Sequence, residues 1–157
     1  MSDDFTTSFT VDQSPAEAFA AITNPRGWWS EAIEGGTEKL GDEFFYSNGD
    51  THYCTMRLTE VVPDQRVVWH VVDNHFEFTN DEREWVGNDI TFEVRTVDGE
   101  TQVQFTQHGL VPEYECFNVC KNAWTGYINA SLKSLISMGK GAPNPRESGR
   151  SRASLGV

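Results

Sequence analysis

The sequence predicts an α+β domain in which one curved antiparallel sheet of about six or seven strands wraps around a single long C-terminal helix. Three observations lead there. An alternating segment and a capped helix open the chain, a run of about six alternating segments fills Thr37 to His108, and one apolar stripe of helical period runs from about Glu115 to Met138. A sheet with one apolar face must cover it, and the last helix is the one element long enough to do so. The length of 157 residues suits one domain.

Phe5, Thr7, Phe9 and Val11 alternate with Thr6, Ser8 and Thr10, which predicts the first strand. In Ser14-Pro15-Ala16-Glu17 a serine caps, a proline takes the first turn and a glutamate stands three residues past the cap. The helix so begun shows Phe19 and Ile22 to the core and stops before Asn24-Pro25. Trp28-Trp29 belong to a short helical or irregular segment closed by Gly35-Gly36. Short strands are expected at Glu38–Leu40 and Phe44–Tyr46, around Gly41-Asp42. After the Asn48-Gly49-Asp50 turn, His52 to Val62 alternates, with Cys54, Met56 and Leu58 on one face. Pro63-Asp64-Gln65 turns the chain into Arg66–Val72, where Trp69 faces inward and His70 outward.

The acidic stretch from Asp73 to Gly87 is irregular yet carries Phe76, Phe78 and Trp85, so a strand pair or a flap is expected. Ile90, Phe92 and Val94 alternate with Thr91, Glu93 and Arg95, and Asp98-Gly99 is a hairpin signal that returns Val103 and Phe105 inward. Phe117, Cys120, Trp124, Tyr127, Ser131, Leu135 and Met138 then recur at helical spacing, and Gly139 stops the helix. At ~1.5 Å per residue that helix reaches about 36 Å. Gly126 in its interior suggests a close approach to the sheet.

Charge divides the chain in two. Its formal net charge is −12, but Lys140, Arg146, Arg150 and Arg152 against Glu147 make the last stretch +3 and leave −15 on the body. Residues 1-139 are therefore read as the folded, ligand-binding domain. Residues 140-157, rich in Gly, Ser, Pro and Arg, are read as a basic, flexible tail. An acidic body repels phosphate backbones and anionic headgroups, so neither nucleic acid nor a membrane surface is an expected partner. No stretch reaches the roughly 20 apolar residues of a membrane span. The acidic N-terminus does not read as a signal peptide, and Cys54, Cys116 and Cys120 are too few for a secreted disulfide scaffold, so a cytoplasmic monomer or homodimer is expected.

Three stretches carry a family resemblance: Ser14-Pro15-Ala16-Glu17 with Trp28-Trp29, Trp85 to Phe92 leading to Gln107-His108-Gly109-Leu110, and Trp124-Thr125-Gly126-Tyr127-Ile128 with Leu132, Leu135 and Gly139. Together they span roughly Phe5 to Gly139. The chain resembles the START-related, helix-grip (SRPBCC) superfamily. Within it, the chain looks most like the stand-alone prokaryotic activator of heat-shock protein 90 ATPase homologue-like family. The resemblance implies a helix-grip fold holding a small hydrophobic molecule (lipid, polyketide or aromatic metabolite) between sheet and helix. Two other roles are compatible with it: an enzyme such as a cyclase, dehydratase or hydrolase, and a chaperone-associated interaction domain.

The expected lining follows from where sheet and helix face each other. Phe44, Tyr46, Met56, Trp69, Phe92 and Phe105 come from the strands, Phe76, Phe78 and Trp85 from the irregular stretch, and Phe117, Cys120, Trp124 and Tyr127 from the helix. Trp28 and His108 complete the set, the latter at a strand end beside Gly109, near an expected pocket mouth. Ligand pockets are mainly apolar with a few placed polar groups, which suits this collection. In the enzyme reading, His108, Tyr127 or a nearby Glu supplies the acid or base. No cofactor is expected, and the chain carries neither Gly-x-Ser-x-Gly nor a phosphate loop. No metal is expected either, because Cys116 and Cys120 share a helix face without the tight ligand pairs of zinc sites.

Overall fold

A computed structural model describes residues 3–155. Seven strands form one antiparallel sheet in the order β1-β7-β6-β5-β4-β3-β2. They are β1 (Phe5–Val11), β2 (Glu34–Gly35), β3 (Glu43–Asn48), β4 (His52–Val62), β5 (Arg66–Phe76), β6 (Asp89–Val97) and β7 (Glu100–His108). Helix α1 (Pro15–Ile22) follows β1, with Ser14 Oγ accepting from the Glu17 N–H as the capping sequence requires. After β7 the chain enters α2 (Phe117–Gly126), which runs on through a π-helical segment (Tyr127–Leu132) into α3 (Lys133–Met138). These three pieces make one C-terminal helix that packs on the apolar sheet face. The result is the α+β helix-grip arrangement. No helix among the described residues is long and apolar enough to cross a membrane.

The meander follows from its turns. Asp98 and Gly99 both take positive φ, 52° and 81°, which matches the right-handed twist of the β6–β7 hairpin. Two register shifts between β4 and β5, at Thr55/Met56 and Leu58/Glu60, bend the sheet around the helix. Pairing of β5 with β6 ends at His70–Asp89, although β5 runs on to Phe76. Beyond that point residues 77–88 fold back as a flap, tied to β5 by Phe76 N–H to the Glu82 carbonyl and Val71 N–H to the Asn88 carbonyl. The irregular aromatic stretch is thus a flap at the open end of the sheet.

Three details differ from the sequence reading. Glu38–Leu40 is a turn, because the Asp42 carboxylate accepts from the Glu38 and Lys39 N–H groups, and Leu40 is 68% exposed. The partner of β3 is instead Glu34–Gly35. The buried residues of the helix are Cys116, Cys120, Trp124, Ile128, Ser131, Leu132 and Ile136, while Met138 is 80% exposed. A spacing of four drifts around an α-helix, and the underwound π segment brings Ile128 and Leu132 back to the sheet. Gly126 faces solvent, where an added Cβ would meet nothing, so no close approach explains it.

The basic extension lies along the body instead of projecting from it. Asn144 forms a bridge with Ser30, its N–H donating to the Trp29 carbonyl and its own carbonyl accepting from the Glu31 N–H. Ser131 Oγ accepts from the Ala142 N–H, and Ser47 Oγ exchanges hydrogen bonds with the Arg150 main chain. A Cβ on Gly141 would collide with the Gly27 carbonyl, and one on Gly149 with Ala32. Here the small residues that suggested mobility allow main chain to pack on main chain.

Candidate functional site

A partly enclosed cleft of about 110 Å³ opens between the flap and the first turns of the C-terminal helix. Its walls come from Trp29, from Tyr46 of β3, His52 of β4 and Phe76 of β5, from Phe78 and Trp85 of the flap, and from Val119, Cys120, Ala123, Trp124 and Tyr127 of the helix; Asn48 and Thr51 edge it. Trp29 stacks on Tyr46 at 4.0 Å between centroids, and Trp85 on Trp124 at 5.9 Å. Phe78 and Val119, 46% and 57% exposed, mark the mouth.

Two carboxylates hold the flap against the helix. Glu84 accepts from the Glu115 and Cys116 N–H groups, capping the otherwise open start of α2. Glu115 in return accepts from the Asn80 and Asp81 N–H groups and from Asn80 Nδ2. Those donated backbone hydrogen bonds hold the Glu115 carboxyl below its usual range. Beneath the cleft runs a buried polar chain. Trp124 Nε1 donates to Gln107 Oε1 at 2.8 Å, Gln107 Nε2 to Asn88 Oδ1 at 2.9 Å, and Asn88 Nδ2 to Tyr114 Oη at 2.9 Å. Each member is satisfied, so the chain fixes the Trp124 ring. At the inner end Asn144 Nδ2 donates to Tyr127 Oη at 2.9 Å and lies 3.5 Å from Tyr46 Oη.

Three groups of the cleft, Tyr46, His52 and Cys120, are shifted toward their uncharged forms. Burial, then the neighbouring Tyr127, pushes Tyr46 well above the usual phenol value. A hydrogen bond with Cys116, together with burial, raises the Cys120 thiol, and burial raises Cys54 in the core. Burial lowers His52 to about 4 despite a hydrogen bond to Asn74, and the nearby His75 adds to the fall. Among the described residues no three His, Cys, Asp or Glu groups assemble as a metal site. The cleft therefore offers ring faces and neutral polar groups.

The His52 shift has a pH signature. The unfolded chain takes up a proton near the ordinary 6.5, the folded one only near 4, so between these values the unfolded state binds more protons. His52 then contributes stability in full above about pH 6.5 that is lost as the pH falls toward 4, at no more than about 1.4 kcal/mol per pH unit. Urea denaturation from pH 7 to 4 is expected to show this loss, and His52→Phe to flatten it. An unchanged slope in the variant would exclude the assignment.

The structure divides the expected lining residues. Tyr46, Phe76, Phe78, Trp85, Cys120, Trp124 and Tyr127 meet at the cleft. Trp28, Phe44, Met56, Trp69, Phe92 and Phe105 instead fill the solid core below it, each at most 1% exposed. Phe117 packs on the edge of the core under Lys121. His108 does not reach the cleft; it stands at the end of β7, half exposed, with Asp4 at 3.3 Å. Outward facing at that strand end, set by alternation with the buried Gln107, places it there.

The sequence points to Trp28 where Trp29 lines the cleft, since an irregular segment gives no phase. His52 is a further lining residue outside the expected set. That residue is in phase with Cys54, Met56 and Leu58, and a histidine on the apolar phase of a strand was the available signal.

The chain is similar to several solved structures. The Aha1 dimer from Colwellia psychrerythraea is 23% identical, with a TM-score of 0.70 over 88% of this chain and 98% of its own. CalU16 from Micromonospora echinospora is 11% identical, with a TM-score of 0.61 over 85% of this chain and 74% of its own. DynU16, a protein of the dynemicin biosynthetic locus, is 15% identical, with a TM-score of 0.63 over 90% of this chain but 49% of its own. At these identities the likeness concerns the fold. No curated protein sequence matches. The family model described as Activator of Hsp90 ATPase homolog 1-like protein matches residues 12–137, most of the chain and every strand and helix that builds the cleft, and the chain belongs to that family.

Proposed function

We propose that this protein binds a small, flat hydrophobic molecule in the cleft between flap and C-terminal helix. The observation that carries the reading is the division of the aromatic residues, one set packed solid and the other left walling an accessible space. A cavity of about 150 Å³ suffices for benzene, so 110 Å³ with an open mouth suits a molecule of about one ring. A long lipid chain would need the flap to move away. Acid–base catalysis finds little support, since His52 titrates far below neutrality and Tyr46 far above it. The Colwellia relative is a dimer, which supports a homodimer over a monomer for this chain, and equilibrium sedimentation measures the state.

Calorimetric titration with toluene and indole tests the binding. Saturable binding tighter than about 1 mM is expected. Val119→Trp, a change at an exposed residue of the mouth, is expected to abolish it without loss of stability. No saturable binding, or binding indifferent to that plug, would contradict the reading.

A further inference from the structure

The C-terminal helix carries a second, far larger space on the other side of Ala123 and Tyr127, an open groove of about 820 Å³. Helix residues from Ala123 to Met138 line one side of it, and Lys140 to Ala142 line the other. This second wall is held in place. Gly139 ends the helix with a φ of 78°, Ser134 Oγ donates to the Lys140 carbonyl at 2.6 Å, and the Ala142 N–H donates to Ser131 Oγ at 2.7 Å.

The lining is mainly apolar. Gly126 and Ala130 bring no side chain beyond Cβ, and the unbranched Met138 chain is 80% exposed beside them. Gly126 lowers helix propensity, yet its φ of −67° is helical and an added Cβ would meet nothing, so no contact within the molecule requires a glycine. What a side chain there would take away is space in the groove. Lys140 is the one charged residue of the lining, and among the described residues no carboxylate pairs with its ammonium. The chain has 24 Asp and Glu in 157 residues, but none falls between Cys116 and Arg146, where Lys121, Lys133 and Lys140 stand. An apolar trough with a cation at one end is thus set in the single acid-free region of comparable length in an acidic protein.

We propose that this groove binds a free single-chain carboxylate of the fatty-acid class, its chain along Gly126 and Ala130 and its head at Lys140 Nζ. The site stands apart from the cleft, which neither Gly126 nor Lys140 lines. A chain suits a trough that follows the helix for about 20 Å from Ala123 to Met138. The head is an acid, because an ammonium would meet Lys140 with like charge and a neutral head would leave that charge unanswered. An acidic peptide would bring several carboxylates to a groove that offers one cation. The net charge of −12 disfavours an anionic membrane surface as the source of the chain.

Calorimetric titration, kept below the concentrations at which the probes form micelles, compares dodecanoate, octanoate and dodecyltrimethylammonium. A protein of net charge −12 attracts cationic amphiphiles over its whole surface, so a preference for the carboxylate requires a local site. Dodecanoate is expected to saturate one site per chain. It should bind about tenfold tighter than octanoate, at about twofold for each half-covered methylene, and about fivefold tighter than the ammonium. Lys140→Glu is expected to reverse that last preference. Gly126→Phe, which fills the trough from a position with open space, is expected to abolish dodecanoate binding while the thermal midpoint holds or rises, because phenylalanine is the better helix former. Tighter binding of the ammonium to the unaltered protein, or dodecanoate binding that survives Gly126→Phe, overturns the proposal and leaves the toluene result in the cleft untouched. Two other occupants have their own signatures. A dimer that Gly126→Phe dissociates and that takes up no dodecanoate would make the groove a contact between copies. Protein that sediments with phosphatidylglycerol vesicles and ignores free dodecanoate would make it a membrane face. Either result overturns the proposal.

Discussion

Trp29→Ala is expected to destabilise the protein by about 3–5 kcal/mol, the usual cost of removing a fully buried tryptophan. Trp29 is 1% exposed and touches six aromatic rings: Trp28, Phe44, Tyr46, Trp69, Trp124 and Tyr127. It joins the two aromatic sets, with Trp28 and Trp69 stacked on its core side and Tyr46, Trp124 and Tyr127 on its cleft side. Its carbonyl also receives the Asn144 N–H, so the indole anchors the C-terminal segment indirectly. Neighbouring rings can close only part of the void, and the cleft would widen toward the core. Urea denaturation should show a lower midpoint at an unchanged slope, with Trp29→Phe intermediate. A loss below about 1 kcal/mol would mean that the stack does not hold the core.

Truncation after Lys140 is expected to cost about 2–3 kcal/mol and to loosen the inner end of the cleft. The deletion leaves Ser131 and Ser47, 5% and 1% exposed, without the main-chain partners supplied by Ala142 and Arg150. It also frees Tyr127 Oη and the Glu31 N–H from Asn144. Charge favours docking as well. Arg150 lies 3.9 Å from Asp50 and Arg152 stands over the Phe45 ring at 6.0 Å, while the main-chain N–H groups of Arg146 and Arg152 donate to the Glu31 and Glu34 carboxylates. Hydrogen exchange reads the same contacts without a mutation, because the Asn144 and Glu31 amides should be protected. Fast exchange at both, with full stability after truncation, is the behaviour of a free tail.

What could be read from the sequence was periodicity. The strands from Phe5 to Val11 and from Asp89 to His108, the capped start of α1 and the long final helix each announce themselves by alternation, capping or a three-four spacing. Where the chain is held by contacts without a period, the reading was less exact. Asp42 bonding back to Glu38 and Lys39 makes a turn of an expected strand, and a π segment moves the helix stripe by one residue.

The tail is the clearest case. Gly141 and Gly149 are indistinguishable in composition from a flexible linker, and only the collision with Gly27 and Ala32 shows their use. For the site, aromatic content names the rings but not which of them pack in the core and which wall the cleft. Whether a ring packs or walls a cleft depends on where β5 outruns β6 and the flap begins, which no local pattern encodes.

The claim that the cleft binds a small ring meets its most direct test in the indole N–H region of a ¹H–¹⁵N spectrum, where the five tryptophans give separate signals. During titration with toluene, Trp29, Trp85 and Trp124, which line the cleft, should shift saturably, while Trp28 and Trp69 in the solid core should stay in place. Five unmoved signals at saturating toluene, or five that move together without saturation, would contradict the account.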